Sequence, residues 1–272
     1  MAVAMSIIFG HASSAQSAPE PPTSNAAIKL PEFDAVSVKP NKSSTTSSRL
    51  YFTDDGVRIE NASLLMIIRA AHGMFNSLDD KFIGIPDWAK VERFDIEAKV
   101  NGADAPAFQK LSFDNRQLMV QAMLADRFKL RTHLETREQP VYDLVIAKNG
   151  PRLKEAIPVE GSDPGGTIER KPGQITGENV VISQLVTALT KTLGRTVVEM
   201  QDVLKGKYDF TLTWTPDDIA APAPGEQGSA PSEVSGPSIF TAIQEQLGLK
   251  LEPAKGPVEC LAIDYVERPS EN

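Results

Sequence analysis

Cysteine, histidine and tryptophan are scarce in this chain, and each shortage closes a route to function. One cysteine, Cys260, among 272 residues excludes an intramolecular disulfide and a cysteine-based zinc site. It sits in the apolar-rich run from Pro257 to Ile263 and reads as a small core residue rather than a reactive thiol. The three histidines, His11, His72 and His133, have no second histidine three or four residues away, and no H-E-x-x-H pattern occurs. His72 and His133 therefore read as surface or partly satisfied imidazoles in preference to metal ligands. There is no G-x-S-x-G turn to present a nucleophile, no Walker loop and no dinucleotide glycine pattern. No catalytic, cofactor-binding or metal-binding residue is assigned, and no cofactor is implied. A Ser-His-Asp triad built from distant positions stays open. Basic residues are in deficit too: 28 Lys and Arg face 36 Asp and Glu, a formal net charge of −8. That balance speaks against a nucleic-acid partner, which needs a basic surface to replace the phosphate counterions. No stretch approaches the roughly 20 apolar residues of a transmembrane helix.

What is present begins with a short apolar stretch, Ala2 to Ala12, followed by Ser13-Ser-Ala-Gln16. Small residues at Ser13 and Ala15 suit a signal-peptidase site, so residues 1–15 are expected to be a signal peptide and the mature chain to start at Gln16. No Lys or Arg precedes the apolar run. A start placed too far downstream would explain that, and a buried or disordered N-terminal segment is the alternative. Residues 16–32 contain Ala18-Pro-Glu-Pro-Pro-Thr-Ser-Asn25 and read as an extended polar tether. Export to the periplasm or the medium follows.

From Val57 to Ala147 and again from Gln174 to Asp264, the same order of signals recurs. A short strand leads into a capped helix, with Ser63 and Ser183 as N-caps and Gly73 and Gly194 closing the helices. The strands Arg93 to Lys99 and Lys207 to Thr213 follow, both with basic-aromatic-aspartate openings and period-two alternation. Amphipathic helices come next over Gln117 to Phe128, with Leu118, Val120, Met123 and Leu124 apolar, and over Ser238 to Leu247. Each half then closes with an expected hairpin, the first turning through Glu135-Thr-Arg-Glu138 and the two return strands starting at Pro140 and Pro257. The fold class is α+β: two similar β-α-β-α-β-β halves, each a small sheet packed by two helices, consistent with internal duplication. The first module spans 33–150, a linker 151–172, and the second module 173–272. Residues 216–237, rich in Ala, Pro, Gly and Ser, read as a disordered loop.

Arg131, His133, Glu135 and Arg137 alternate with Thr132, Leu134 and Thr136. The charged set thus shares one side of a strand: a binding face for a polar ligand or a protein, or simply the solvent side of a hairpin. Trp88 is a candidate aromatic contact, and Trp214 another, with core anchoring as the competing role. Asp95 and Glu97 share a strand face as general acid–base pairs do, yet the corresponding position beside Asp209 is Thr211, which favours a solvated face or a salt bridge.

Several segments together resemble one family: Phe33-Asp-Ala-Val-Ser-Val-Lys-Pro40, Ile85-Pro-Asp-Trp88 with Arg93-Phe-Asp-Ile96, Leu124-Ala-Asp-Arg-Phe-Lys-Leu130, Glu135-Thr-Arg-Glu-Gln-Pro-Val-Tyr142, Gly206-Lys-Tyr-Asp-Phe210 and Glu267-Arg-Pro-Ser-Glu-Asn272. They look like the soil-associated bacterial family of unknown function that is expanded in acidobacteria. Some of its members carry the domain after an antibiotic-sensor-type membrane metallopeptidase, a part this chain lacks. The family offers no catalytic residues to carry over. Each half is also similar in pattern to the short β-α-β modules at the N-termini of secretins and TonB-dependent receptors, which implies docking on protein partners through strand edges. The expected function is a non-enzymatic, exported interaction or ligand-binding protein of the cell envelope, with an envelope protein or a small ligand as partner. The alternatives are an envelope or extracellular hydrolase with its site between the halves, and a structural envelope component.

Overall fold

A computed structural model describes residues 30–43, 45–157, 165–199, 204–216 and 236–269. The expected signal peptide and nearly all of the tether lie outside the described residues, as does the expected loop 216–237 except at its ends. The elements are β1 (Phe33–Pro40), β2 (Arg49–Thr53), β3 (Gly56–Ser63), α1 (Leu64–Ala71), β4 (Phe82–Ile83), α2 (Asp87–Val91), β5 (Arg93–Val100), α3 (Ala105–Gln109), α4 (Phe113–Arg127) and β6 (Arg131–Ile146). They continue with β7 (Lys154–Glu155), β8 (Thr167–Lys171), β9 (Gln174–Val180), α5 (Ile182–Leu193), β10 (Val197–Glu199), β11 (Tyr208–Thr213), α6 (Ile239–Ala242) and β12 (Leu249–Tyr265). A π-helical turn, Ile243–Leu247, prolongs α6.

The chain is α+β, and its described residues form three sheets of four strands. The first sheet has the order β1-β5-β3-β2 and the second the order β7-β11-β9-β8. Residues 151–172, expected as a linker, contribute β7 and β8 to the second sheet. Alternation decides which face is covered. In β5, Phe94, Ile96 and Ala98 are buried while Glu97 and Lys99 are exposed, so one face takes the helices and the other meets water. Helices α1 and α4 lie over that apolar face, with Leu64, Ile67, Ile68, Val120, Met123 and Leu124 in its core. Helix α1 starts as expected: the Ser63 side chain accepts the Met66 N–H at 3.3 Å, satisfying one of the free donors of the first turn. Helix α5 does not start at Ser183; its N-cap is Val181, and the Gln184 side chain accepts the Val181 N–H at 3.0 Å. In α4 Met119 is buried with Val120, Met123 and Leu124, whereas Leu118, expected among the apolar positions, points outward at 46% exposure.

The expected hairpins are not formed. Residues 131–146 and 249–265 are single long strands, and they pair with each other antiparallel from Leu249↔Ile146 to Tyr265↔Arg131. Strand β10 runs parallel to β6, and β4 runs parallel to β12, giving a central sheet of order β10-β6-β12-β4. The central sheet is shared in its packing as well. Leu261 and Ile263 of β12 enter the core under α1 and α4, while Leu144 of β6 enters the core under α5. Pro140 and Pro257 were expected to open return strands; they lie inside these strands, opposite Lys255 and Glu138. Proline is tolerated where no neighbour needs its missing N–H. Among the described residues the other side of β6 is paired only at Tyr142–Leu144, and that of β12 only at Leu261–Ala262.

Candidate functional site

The charged set of β6 is brought onto one face, as its alternation requires, and it forms a ladder of local pairs there. Arg131 stacks its guanidinium 5.7 Å from the ring centre of Tyr265, the residue opposite it. His133 Nδ1 lies 3.0 Å from Asp264 Oδ2, and Arg137 Nε donates to Glu135 Oε1 at 2.7 Å. The hydrogen bond to Asp264, helped by its charge and that of Glu135, raises the His133 pKa above 6.5. Trp88 belongs to another surface. It packs against the first core, and the Arg268 guanidinium lies 5.0 Å over its ring while gripping Glu92 through Nε and Nη2 at 2.7–3.1 Å. That grip holds the Glu92 carboxyl below its usual range.

A polar concavity that the sequence alone did not show lies on the first sheet. A groove of about 550 Å³ opens on the water-facing side of the first sheet, between its strands and the Ser/Thr-rich segment that follows β1. Its floor comes from a bulge. Glu60 and Asn61 of β3 together face Asp95 of β5, because the register slips between Ile59 and Ala62. Asn61 adopts φ 52°, a left-handed backbone that asparagine tolerates better than most residues. Its N–H donates to Asp95 Oδ1 at 2.9 Å, and the Asn41 side-chain amide reaches both Asp95 oxygens at 2.8 and 2.9 Å. The Asn61 side-chain amide in turn donates to the carbonyls of Thr45 and Ser47 at 2.7 and 3.0 Å. The Asp95 carboxylate, which shares its strand face with Glu97, thus clamps the bulge.

The second sheet repeats the clamp. Glu178 and Asn179 of β9 face Asp209 of β11, Asn179 has φ 55°, and its N–H donates to Asp209 Oδ1 at 2.8 Å. A groove of about 500 Å³ lies there too, lined by Thr176, Asn179, Asp209 and Thr211 among others. The signal that could have found both was in plain view: a Glu-Asn pair three residues before each helix, matched to each aspartate. Among the described residues no group of three or more His, Cys, Asp or Glu is placed to hold a metal ion. No helix among them is long and apolar enough to cross a membrane.

These features define an α+β protein with two clamped sheets flanking a shared central one. Residues 66–266 match the family model described as a protein of unknown function, DUF3738, and the chain belongs to that family. No curated protein and no solved structure matches it.

Proposed function

We propose that this is an exported, non-catalytic docking protein that receives an extended segment of an envelope protein along the outer edge of β6. The observation that carries the reading is the open edge. Strand β6 is paired to β12 along its length, yet among the described residues its other side meets a strand, β10, only at Tyr142–Leu144. Among the described residues no strand pairs with the outer side of β6 from Arg131 to Gln139, and Leu134 stands 58% exposed there. An open edge of this kind is a template for strand addition, in which backbone bonds give affinity and flanking side chains give selectivity. Arg131, His133, Glu135 and Arg137 supply those side chains. The similarity of each half to secretin and TonB-receptor modules supports the same reading. So does a duplication origin for the halves, which rests on their matching strand orders and paired Glu-Asn bulges. Export rests on the N-terminal sequence alone.

The test uses the chain from Gln16 as bait for envelope extract of its source bacterium, with mass-spectrometric readout, beside an Arg131→Glu/Arg137→Glu variant. One saturable protein partner, lost in the variant, is the expected result. Retention by the variant, or the absence of any saturable protein partner, overturns the proposal.

A further inference from the structure

The two clamped grooves act as an internal control on each other. The bulge, its left-handed asparagine and its aspartate occur in both, so they belong to the architecture. What the first groove adds is chemistry. The pairing registers place Arg58 where the second sheet has Thr176, and Glu97 where it has Thr211. Arg49 opposes Glu60 where Thr167 opposes Glu178. Strand propensity does not ask for a guanidinium and a carboxylate at those places, and the second sheet stands without them.

We infer that the groove on the first sheet is a binding site for a neutral, hydroxyl-rich ligand, a short saccharide. Three cations (Lys39, Arg49, Arg58) and three carboxylates (Glu60, Asp95, Glu97) line it, so its formal charge sums to zero and neither an anion nor a cation is favoured. A free peptide needs an uncommitted carboxylate for its ammonium group. Each carboxylate here already has a partner: Asp95 holds Asn41 and Asn61, Glu60 lies 3.6 Å from Arg58, and Glu97 lies 3.4 Å from Lys99. A sugar hydroxyl both donates and accepts, and so can bridge a guanidinium and a carboxylate that sit side by side without separating them. Asn61 adds a specific demand. Its residue is 3% exposed, and its Oδ1 is buried with no hydrogen-bond donor among the described residues, a state that is costly unless a further group or water supplies one. Tyr51, 40% exposed and opposite Arg58 on β2, donates its hydroxyl to Glu60 Oε1 at 3.3 Å and so holds one of the lining carboxylates in place. The volume falls in the ~300–1,000 Å³ range of small-molecule sites.

This inference is independent of docking at the β6 edge. Its test titrates the full chain, ¹⁵N-labelled, with cellobiose, maltose, N,N′-diacetylchitobiose, digalacturonate and triglycine. Saturable shifts at the Asn61 side-chain amide and the Glu97 backbone with a neutral disaccharide are expected. Arg58→Ala and Glu97→Ala, both on an exposed face, should each weaken binding by about 10-fold, the scale of a lost hydrogen bond to a charged group, while Thr211→Ala leaves it unchanged. Saturation by triglycine or digalacturonate alone, equal shifts in the second groove, or no saturable shift up to ~20 mM overturns the inference.

Discussion

Replacing Leu261 with alanine tests whether the shared central sheet makes the two halves one cooperative unit. Leu261 is 1% exposed. It belongs by sequence to the second half, but its side chain is packed in the first core with Phe82 and Ile263. Truncating a buried leucine removes its transfer energy and leaves a cavity, together about 2–5 kcal/mol. That is a large share of the ~5–15 kcal/mol typical of a domain. At an m-value of ~1–3 kcal/mol/M, the urea midpoint falls by about 1 M or more. The chain provides one reporter per core: Trp88 packs against the first and Trp214 against the second. In Trp88→Phe and Trp214→Phe backgrounds, each compared with its own parent, the fluorescence midpoints should fall together. Leu144→Ala, the reciprocal change from β6 into the second core, should likewise move the Trp88 reporter. If Leu261→Ala shifts Trp88 fluorescence while Trp214 holds its midpoint, the pairing of β6 with β12 does not couple the halves and the reasoning fails.

Removing the Asp95 carboxylate by Asp95→Ala strips the partner from the Asn61 N–H and from Asn41. The expected loss is about 1–3 kcal/mol, smaller for Asp95→Asn, which keeps one acceptor; chemical denaturation checks it, and a wild-type midpoint for the alanine variant would remove the clamp from the argument. His133 and His72 should titrate on opposite sides of 6.5 by NMR. Asp264 raises His133, so its stabilising contribution is complete below 6.5 and is lost as pH rises through its folded pKa; Asp264→Asn should return it towards 6.5. Burial lowers His72, so its contribution is present above 6.5 and is lost as pH falls through its folded value. Cys260 is 0% exposed and burial pushes its thiol upward. A thiol reagent should therefore label it slowly in the native protein and fully in denaturant, and rapid native labelling would contradict that burial.

Local chemistry was legible where a residue's state depends on its neighbours in the chain. The alternation from Arg93 to Lys99 put Phe94, Ile96 and Ala98 inside, and Ser63 capped its helix, because period and capping act over two to four residues. The parallel between Asp95 and Asp209 was visible too, though not its meaning: each aspartate binds a backbone N–H on another strand, and only pairing brings that strand near. The same limit explains the missed groove, whose lining comes from four strands and one loop. The long strands show it most clearly. Glu135 to Glu138 reads locally as a turn, and Pro140 and Pro257 as the openings of return strands. They are extended instead because the two segments find each other across the chain, each covering one edge of the other and leaving the prolines on edges that need no donor. Composition and periodicity determined by themselves that the chain is α+β and where its faces lie. Which strands became neighbours was decided by the shared core, into which Leu144, Leu261 and Ile263 each carry a side chain from the other half.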